Sequence, residues 1–191
     1  MRLFILGLCV LATGCSGQGL HSPASPTSTT TALLGSERQE GSTQTQARNG
    51  STLPFRGSFT GRTSGTVNCP STCPPTTLTV RGTAAGTASH LGRFTAAVEE
   101  VVDIPTAMSS GTIEFTAANG DRLLAATVGG EVGFTPPNIS HIEQTATITG
   151  GSGRFSRASG TFTIRFTQII DFANGTATLS GSFEGFINMN H

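Results

Sequence analysis

The sequence contains no lysine, tryptophan or tyrosine, and charged residues make up only 12% of it. Its 11 basic residues are therefore all arginine, and 11 acidic residues balance them to a net charge of +0. A neutral chain exerts no long-range attraction on nucleic acid or on an anionic membrane surface. Because phenylalanine supplies all of the aromatic surface, bases cannot stack on tyrosine or tryptophan. These absences argue against a nucleic-acid-binding protein.

The chain also lacks an apolar run long enough to cross a bilayer as a helix. The apolar run at residues 3–12 has about ten residues, whereas a membrane-spanning helix needs about 20. With the positive Met1-Arg2 in front of it, this run is typical of a signal peptide. The segment LATGC at residues 11–15 then resembles a bacterial lipobox, in which small residues directly precede a cysteine.

The lipobox resemblance implies removal of residues 1–14 and attachment of a diacylglyceryl group, with palmitate-type acyl chains, to the sulfur of Cys15. We therefore expect a lipoprotein held to a membrane on the extracytoplasmic side of the bacterial envelope, at the outer membrane or cell surface, with its folded domain outside the bilayer. The alternative is an ordinary secretion signal and a secreted protein. Residues 15–52 are rich in Ser, Thr, Gly, Gln and Pro, and we expect them to form a disordered tether.

From residue 53 onward, apolar and polar residues alternate with the period of a β-strand. The pairs Asn119-Gly120 and Asn174-Gly175 indicate two-residue hairpin turns, while the run 123–126 leaves the facing of its strand ambiguous. The pattern predicts eight strands, at residues 53–67, 76–88, 93–103, 112–118, 122–134, 141–149, 161–171 and 176–187.

Eight antiparallel strands without a convincing helix predict an all-β fold, a single eight-stranded antiparallel β-barrel over residues 53–191. One face of each strand is rich in Thr, Ser and Arg, so we expect one face toward a core and one toward water. Closure would remove the exposed strand edges of such a sheet. A two-sheet sandwich remains the alternative.

The run GGSGRFSRASG at residues 150–160 resembles the glycine-rich segment GGTGxFxxAxG of the allene oxide cyclase and dirigent barrels. The patterns at 87–95 and 115–123 resemble small secreted bacterial proteins with a similar barrel. The resemblance implies an eight-stranded barrel and carries no catalytic residue onto this sequence. From its glycines we expect positive φ angles that let Phe155 fold inward as a plug, with Arg154 and Arg157 in solvent.

Two cysteines remain once Cys9 in the signal and Cys15 are set aside. Cys69 and Cys73 lie in the segment NCPSTCPP, between the first two strands. An extracytoplasmic location permits a disulfide, and we expect one here. A redox role is the alternative, although the spacing is not C-x-x-C. A zinc site would need His90 and His141 to converge on them, so we expect no metal and no cofactor.

A possible ligand pocket is indicated by polar residues on the apparent inner faces of three strands. Glu100 shares a face with valines, Gln144 with isoleucines, and Gln168 with Phe166 and Ile170. A carboxylate and two amides in an apolar lumen suit a binding site, and Glu100 could act there as an acid or base. The alternative is that a bulge or a one-residue register shift turns each of them to solvent.

Three functions follow from this interpretation. The sequence favours a non-enzymatic barrel that binds a small apolar molecule or lipid at Glu100, Gln144, Phe166 and Gln168. The second is a structural or protein-interaction module of the cell envelope, with a filled barrel and a partner on its Thr-rich surface. The third, ranked last, is an isomerase or cyclase like the plant barrels, since no catalytic motif is present.

Overall fold

The computed structural model describes residues 52–68 and 75–189. The predicted signal peptide, residues 15–51 of the predicted tether with the expected lipid-attachment residue Cys15, and the cysteines expected to form a disulfide, Cys69 and Cys73, lie outside the described residues. Thr52, predicted as the last tether residue, is the first residue of a strand. In the described part of the chain, no helix is long and apolar enough to cross a bilayer.

Eight strands account for almost all of the described residues, and each overlaps one of the predicted strands. Alternation of inward and outward side chains is visible along each of them, as the period-two pattern requires. The strands are β1 (Thr52–Asn68), β2 (Thr77–Ala88), β3 (Gly92–Asp103), β4 (Met108–Ala117), β5 (Arg122–Thr135), β6 (Ile139–Gly151), β7 (Ser159–Asp171) and β8 (Thr176–Asn188).

The sequence interpretation was wrong at the start of β4 and in the length of two turns. β4 begins at Met108, four residues before the predicted start at 112, because backbone pairing with β3 and β5 extends into a Ser-rich stretch without apolar alternation. The two Asn-Gly turns are longer than two residues. The connections span 118–121 and 172–175, with Gly120 and Gly175 at φ angles of 88° and 63°.

The strands close into a barrel in which each pairs with its sequence neighbours and β1 pairs with β8. The prediction of a closed eight-stranded antiparallel barrel is confirmed, and the sandwich alternative is wrong. Following paired residues once around from Val67 leads back to β1 at Gly57, a stagger of ten residues. An eight-stranded barrel has an interior that side chains can fill or that holds one small ligand.

We call the end at which odd-numbered strands begin the base and the end at which they finish the rim. The interior near the base is filled by phenylalanine rings and aliphatic side chains. Phe183 contributes most to this packing, since its ring lies 4.9–6.4 Å, centroid to centroid, from five others. These other rings belong to Phe55, Phe59, Phe94, Phe115 and Phe162.

The glycine-rich segment between β6 and β7 closes the base. A single 3-10 turn, Gly153–Phe155, places Phe155 in the core at 0% exposure, while Arg154 and Arg157 are exposed, as predicted. Gly150, Gly153 and Gly160 have the positive φ angles that we expected of this segment. Gly151 is not among these positions. Its constraint is spatial, because an added Cβ would overlap the backbone of Arg122.

Candidate functional site in the barrel interior

The structure places all four predicted pocket residues on the inward face of the barrel wall. Glu100 on β3 and Gln144 on β6 are buried, with 8% and 4% of their surface exposed. Phe166 and Gln168 on β7 are half-buried. The β5–β6 pairing has register shifts at Leu124/Ala125 and at Glu131/Gly133, but Gln144 on β6 stays buried, and the β3 and β7 pairings of the other three residues are regular.

Glu100 and Gln144 are in direct contact. The Gln144 amide nitrogen donates to both carboxylate oxygens of Glu100, at 2.9 Å each. The same nitrogen lies 3.0 Å from the hydroxyl oxygen of Ser109, and the Thr127 hydroxyl donates to Glu100 Oε1 at 3.0 Å. Four consecutive strands, β3 to β6, therefore each contribute one side chain to a hydrogen-bonded group, which we call the inner polar cluster.

Two glycines make the space for the inner polar cluster. Gly111 on β4 is paired with Glu100, and Gly129 on β5 is paired with Gln144. A Cβ at Gly111 would lie 2.6 Å from Glu100 Cγ, and a Cβ at Gly129 would lie 2.9 Å from Gln144 Cγ. The two long side chains can lie across the neighbouring strands only because those positions carry no side chain.

The sequence interpretation missed Ser109 and Thr127. Ser109 lies in the part of β4 that carried no strand signal, whereas Thr127 follows the ambiguous run 123–126. The structure resolves that ambiguity, since Leu123 and Ala125 face inward and Leu124 is exposed. Continuing the same alternation by two residues from Ala125 would have placed Thr127 inside.

Gln168 lies apart from the inner polar cluster. It pairs with Ser140 on β6, and no hydrogen bond joins it to Glu100 or Gln144 among the described residues. Ser140, which is 0% exposed, donates instead to a second inward carboxylate, Glu131, at 2.6 Å. The interior near the rim thus carries two carboxylates, each held by neutral donors.

Positive charge is confined to the exterior of the described part of the chain. Its arginines are all exposed, and their ion pairs lie on the outer wall or in loops. Arg165, for example, bonds Glu143 at 2.9 Å and Glu184 at 3.2 Å on the outer wall. The hydrogen bond to Glu143 is the main reason why the pKa of Arg165 is raised.

Two cavities open on the outer wall. The larger, of about 960 Å³, crosses β8 and β1 to β6 and is lined by outward residues such as Arg62, Arg81 and Thr112. The smaller, of about 200 Å³, is lined by residues of β4 to β6, including Val128. The smaller lining includes Gln144, but neither lining includes Glu100, Phe166 or Gln168, so a ligand in contact with these three residues would lie in neither cavity.

The two histidines considered for a metal site are far apart in the fold. His90 lies in the β2–β3 turn at the base, with a φ angle of 64°, and its Nε2 lies 3.1 Å from the carbonyl oxygen of Pro54. His141 lies on β6 near the rim and contacts Thr135 and Thr167. Within 52–68 and 75–189, no three His, Cys, Asp or Glu side chains are grouped as metal ligands would be.

No protein-family model matches the chain, and no curated protein matches its sequence. Among solved structures, the chain is similar to that of the pterocarpan synthase dirigent protein GePTS1. The two share 15% sequence identity at a TM-score of 0.44, over 81% of this chain and 98% of that chain. The closed barrel is established by this chain's own strand registers, and the likeness adds no residue role or activity to it.

Proposed function

We propose that this protein is a binding module whose barrel holds one small, mainly apolar molecule in the rim half of its lumen. The observation that carries the proposal is the inner polar cluster, in which a buried carboxylate and amide lie inside a barrel whose base is packed with apolar side chains. Ligand sites in proteins are mostly apolar with a few placed polar groups that fix orientation.

The distribution of exposure along the barrel supports entry from the rim. At the base the inward phenylalanines are buried, and Phe155 covers that end. Toward the rim the inward apolar side chains are only half-buried, which leaves their surface available to a bound molecule. These side chains are Leu78, Val80, Val102, Ile142, Phe166, Ile170 and Leu179.

Extraction of the native protein tests the proposal. Full-length protein purified from its own envelope would be analysed by native mass spectrometry and by organic extraction. We expect a small molecule in stoichiometric amount, and we expect Phe166→Trp to lose it because a larger ring at this half-buried inward position fills the lumen. Ile169→Trp on the same strand is the control, because Ile169 faces outward and is 51% exposed.

A ligand-free mass for the wild-type protein would contradict the binding function. Equal retention of the molecule by the Phe166 and Ile169 variants would place it outside the lumen and would contradict the proposed site.

We further propose that the binding domain works at a membrane surface, as a lipoprotein anchored through Cys15. The support is the sequence of the first fifteen residues, where a short apolar run ends in LATGC. Two or more acyl chains on one cysteine suffice for stable anchoring, while the domain itself stays in water.

A protein-interaction module is the second candidate. It is favoured by exposed apolar side chains grouped on the outer wall near the rim, where Val101, Val128 and Val132 are 46%, 55% and 68% exposed. Met108, at 49%, borders them. If the wild-type protein is extracted without a ligand, this exposed apolar surface is the next candidate site for a partner.

A further inference from the structure

The charges inside the barrel restrict the chemistry of a bound molecule. Glu100 and Glu131 are the inward-facing charged residues of the described strands, and the arginines of that part of the chain are all exposed. Glu100 is buried against neutral donors only, namely Gln144 and Thr127. A buried carboxylate without a cationic partner is costly, and a cation placed beside it would offset that cost.

The inner polar cluster has hydrogen-bonding capacity left over, and because its unused groups are acceptors, this capacity suits a donor. A carboxylate offers about four lone-pair sites. Glu100 Oε1 receives bonds from Thr127 and Gln144, whereas Oε2 receives one bond, from Gln144. Oε2 can therefore accept from a further donor.

The Gln144 amide is a second, independent indication that the cluster has an unused acceptor. Its nitrogen is engaged by Glu100 and Ser109, but its carbonyl oxygen receives no hydrogen bond within the described residues. In that part of the chain, no fully enclosed side-chain oxygen or nitrogen lacks a partner. The Gln144 carbonyl oxygen must then keep a small accessible surface, although the residue as a whole is 4% exposed.

Resting on the proposed binding function, we propose that the bound molecule is an amine, with its protonated nitrogen seated between Glu100 Oε2 and the carbonyl oxygen of Gln144. A primary ammonium brings several N–H donors and a positive charge, and it meets two open acceptors and an uncompensated carboxylate. A carboxylate head group brings neither and is repelled by Glu100 and Glu131. The apolar part of the molecule then extends toward the half-buried side chains Val102 and Ile142.

Three molecules that share one chain and differ in head group test this proposal. Decylamine, decanol and decanoate would be titrated into full-length ligand-free protein by calorimetry at neutral pH, below the concentration at which they aggregate. We expect decylamine to bind at least about tenfold more tightly than decanol, with decanoate weakest. This comparison uses the wild-type protein and does not depend on the folding of a variant.

Two neighbouring glutamates provide the matched variants. Glu100→Gln removes the inward charge, and we expect it to abolish the preference for decylamine over decanol. Glu99→Gln removes the charge of the preceding residue, which faces outward and pairs with Arg81 at 2.5 Å. We expect this variant to keep the preference for decylamine over decanol.

The outcomes separate this inference from the function on which it rests. If decanol or decanoate binds as tightly as decylamine, the barrel binds apolar molecules but the amine assignment is wrong. If none of the three binds, both the binding function and the amine assignment are overturned. Loss of the preference in the Glu99 variant would show that the protein's overall charge decides it, and this too would overturn the assignment to Glu100.

Discussion

At the scale of single residues, the interior is shaped by where side chains are missing as much as by where they are present. Inward glycines stand beside large inward side chains on paired strands, so that each ring or chain lies over a neighbour without a Cβ. A Cβ on Gly57 would lie 2.6 Å from the ring of Phe183, and one on Gly185 would lie 2.6 Å from Cβ of Phe162. The same arrangement seats Glu100 over Gly111.

We expect Gly111→Ala to lower the free energy of unfolding by about 1–3 kcal/mol, as the insertion of a methyl group against packed atoms does. The added Cβ would lie 2.6 Å from both Cα and Cγ of Glu100, and a backbone atom cannot move aside cheaply. Urea unfolding of the full-length protein measures the change. Gly133→Ala is the control, because its nearest contacts are His141 side-chain atoms at 3.7 and 3.9 Å.

For Gly133→Ala we expect a change within about 0.5 kcal/mol. Equal unfolding midpoints for the two alanine variants would show that the space over Gly111 is not needed.

At the scale of elements, the β7–β8 turn shows how a short polar network fixes a connection. The Asp171 carboxylate accepts from the backbone N–H groups of Ala173 and Asn174 and from the Asn174 side chain, at 2.7–3.2 Å. These bonds favour the ionised form, and the Asn174 side chain is the main reason why the pKa of Asp171 is lowered.

We expect Asn174→Ala to raise the pKa of Asp171 toward its ordinary value, as measured by NMR titration of the carboxyl carbon. Because the folded-state pKa is the lower one, the contact stabilises the fold above the unfolded-state pKa of Asp171. That contribution is lost as pH falls through the folded-state pKa. The stability difference between wild type and variant should therefore narrow in acid.

Asn119→Ala, in the β4–β5 turn, is the control for this titration. Asn119 bonds Asp121 and lies at the opposite end of the barrel, so its loss should leave the pKa of Asp171 unchanged. An unchanged pKa in the Asn174 variant would show that the backbone donors alone hold it down.

At the scale of the whole molecule, closure joins the two ends of the described chain. β1 and β8 pair over most of their length, from Thr52↔Asn188 to Ser64↔Thr176, and no strand of the described barrel is left as an open edge. Closure protects a Thr-rich sheet from pairing with other chains.

The proposed anchor also belongs to this scale, and we expect Cys15→Ser to move the protein from the membrane fraction to the soluble fraction. Metabolic labelling with an alkyne analogue of palmitate, followed by fractionation, measures both effects. Cys9→Ser is the matched control, because Cys9 lies within the apolar run of the signal and should leave the label in place. Persistent labelling of the Cys15 variant would contradict the lipoprotein proposal.

Strand positions and the inward facing of Glu100, Gln144 and Gln168 were determined by the sequence itself. Side chains alternate across a strand by local geometry, so a short window of residues carries this information. The same local pattern predicted the start of β4 wrongly, because Met108 and Ser109 are held in the strand by pairing with β3 and β5.

Closure, the ten-residue stagger and the membership of the inner polar cluster were decided only by the tertiary structure. Glu100 meets Thr127 and Gln144 across 27 and 44 residues of chain, through registers that depend on all of the intervening strands. A sequence pattern repeats every two residues and fixes which face a side chain occupies. It does not fix which side chain it meets on the next strand, since that depends on how far one strand is shifted along another.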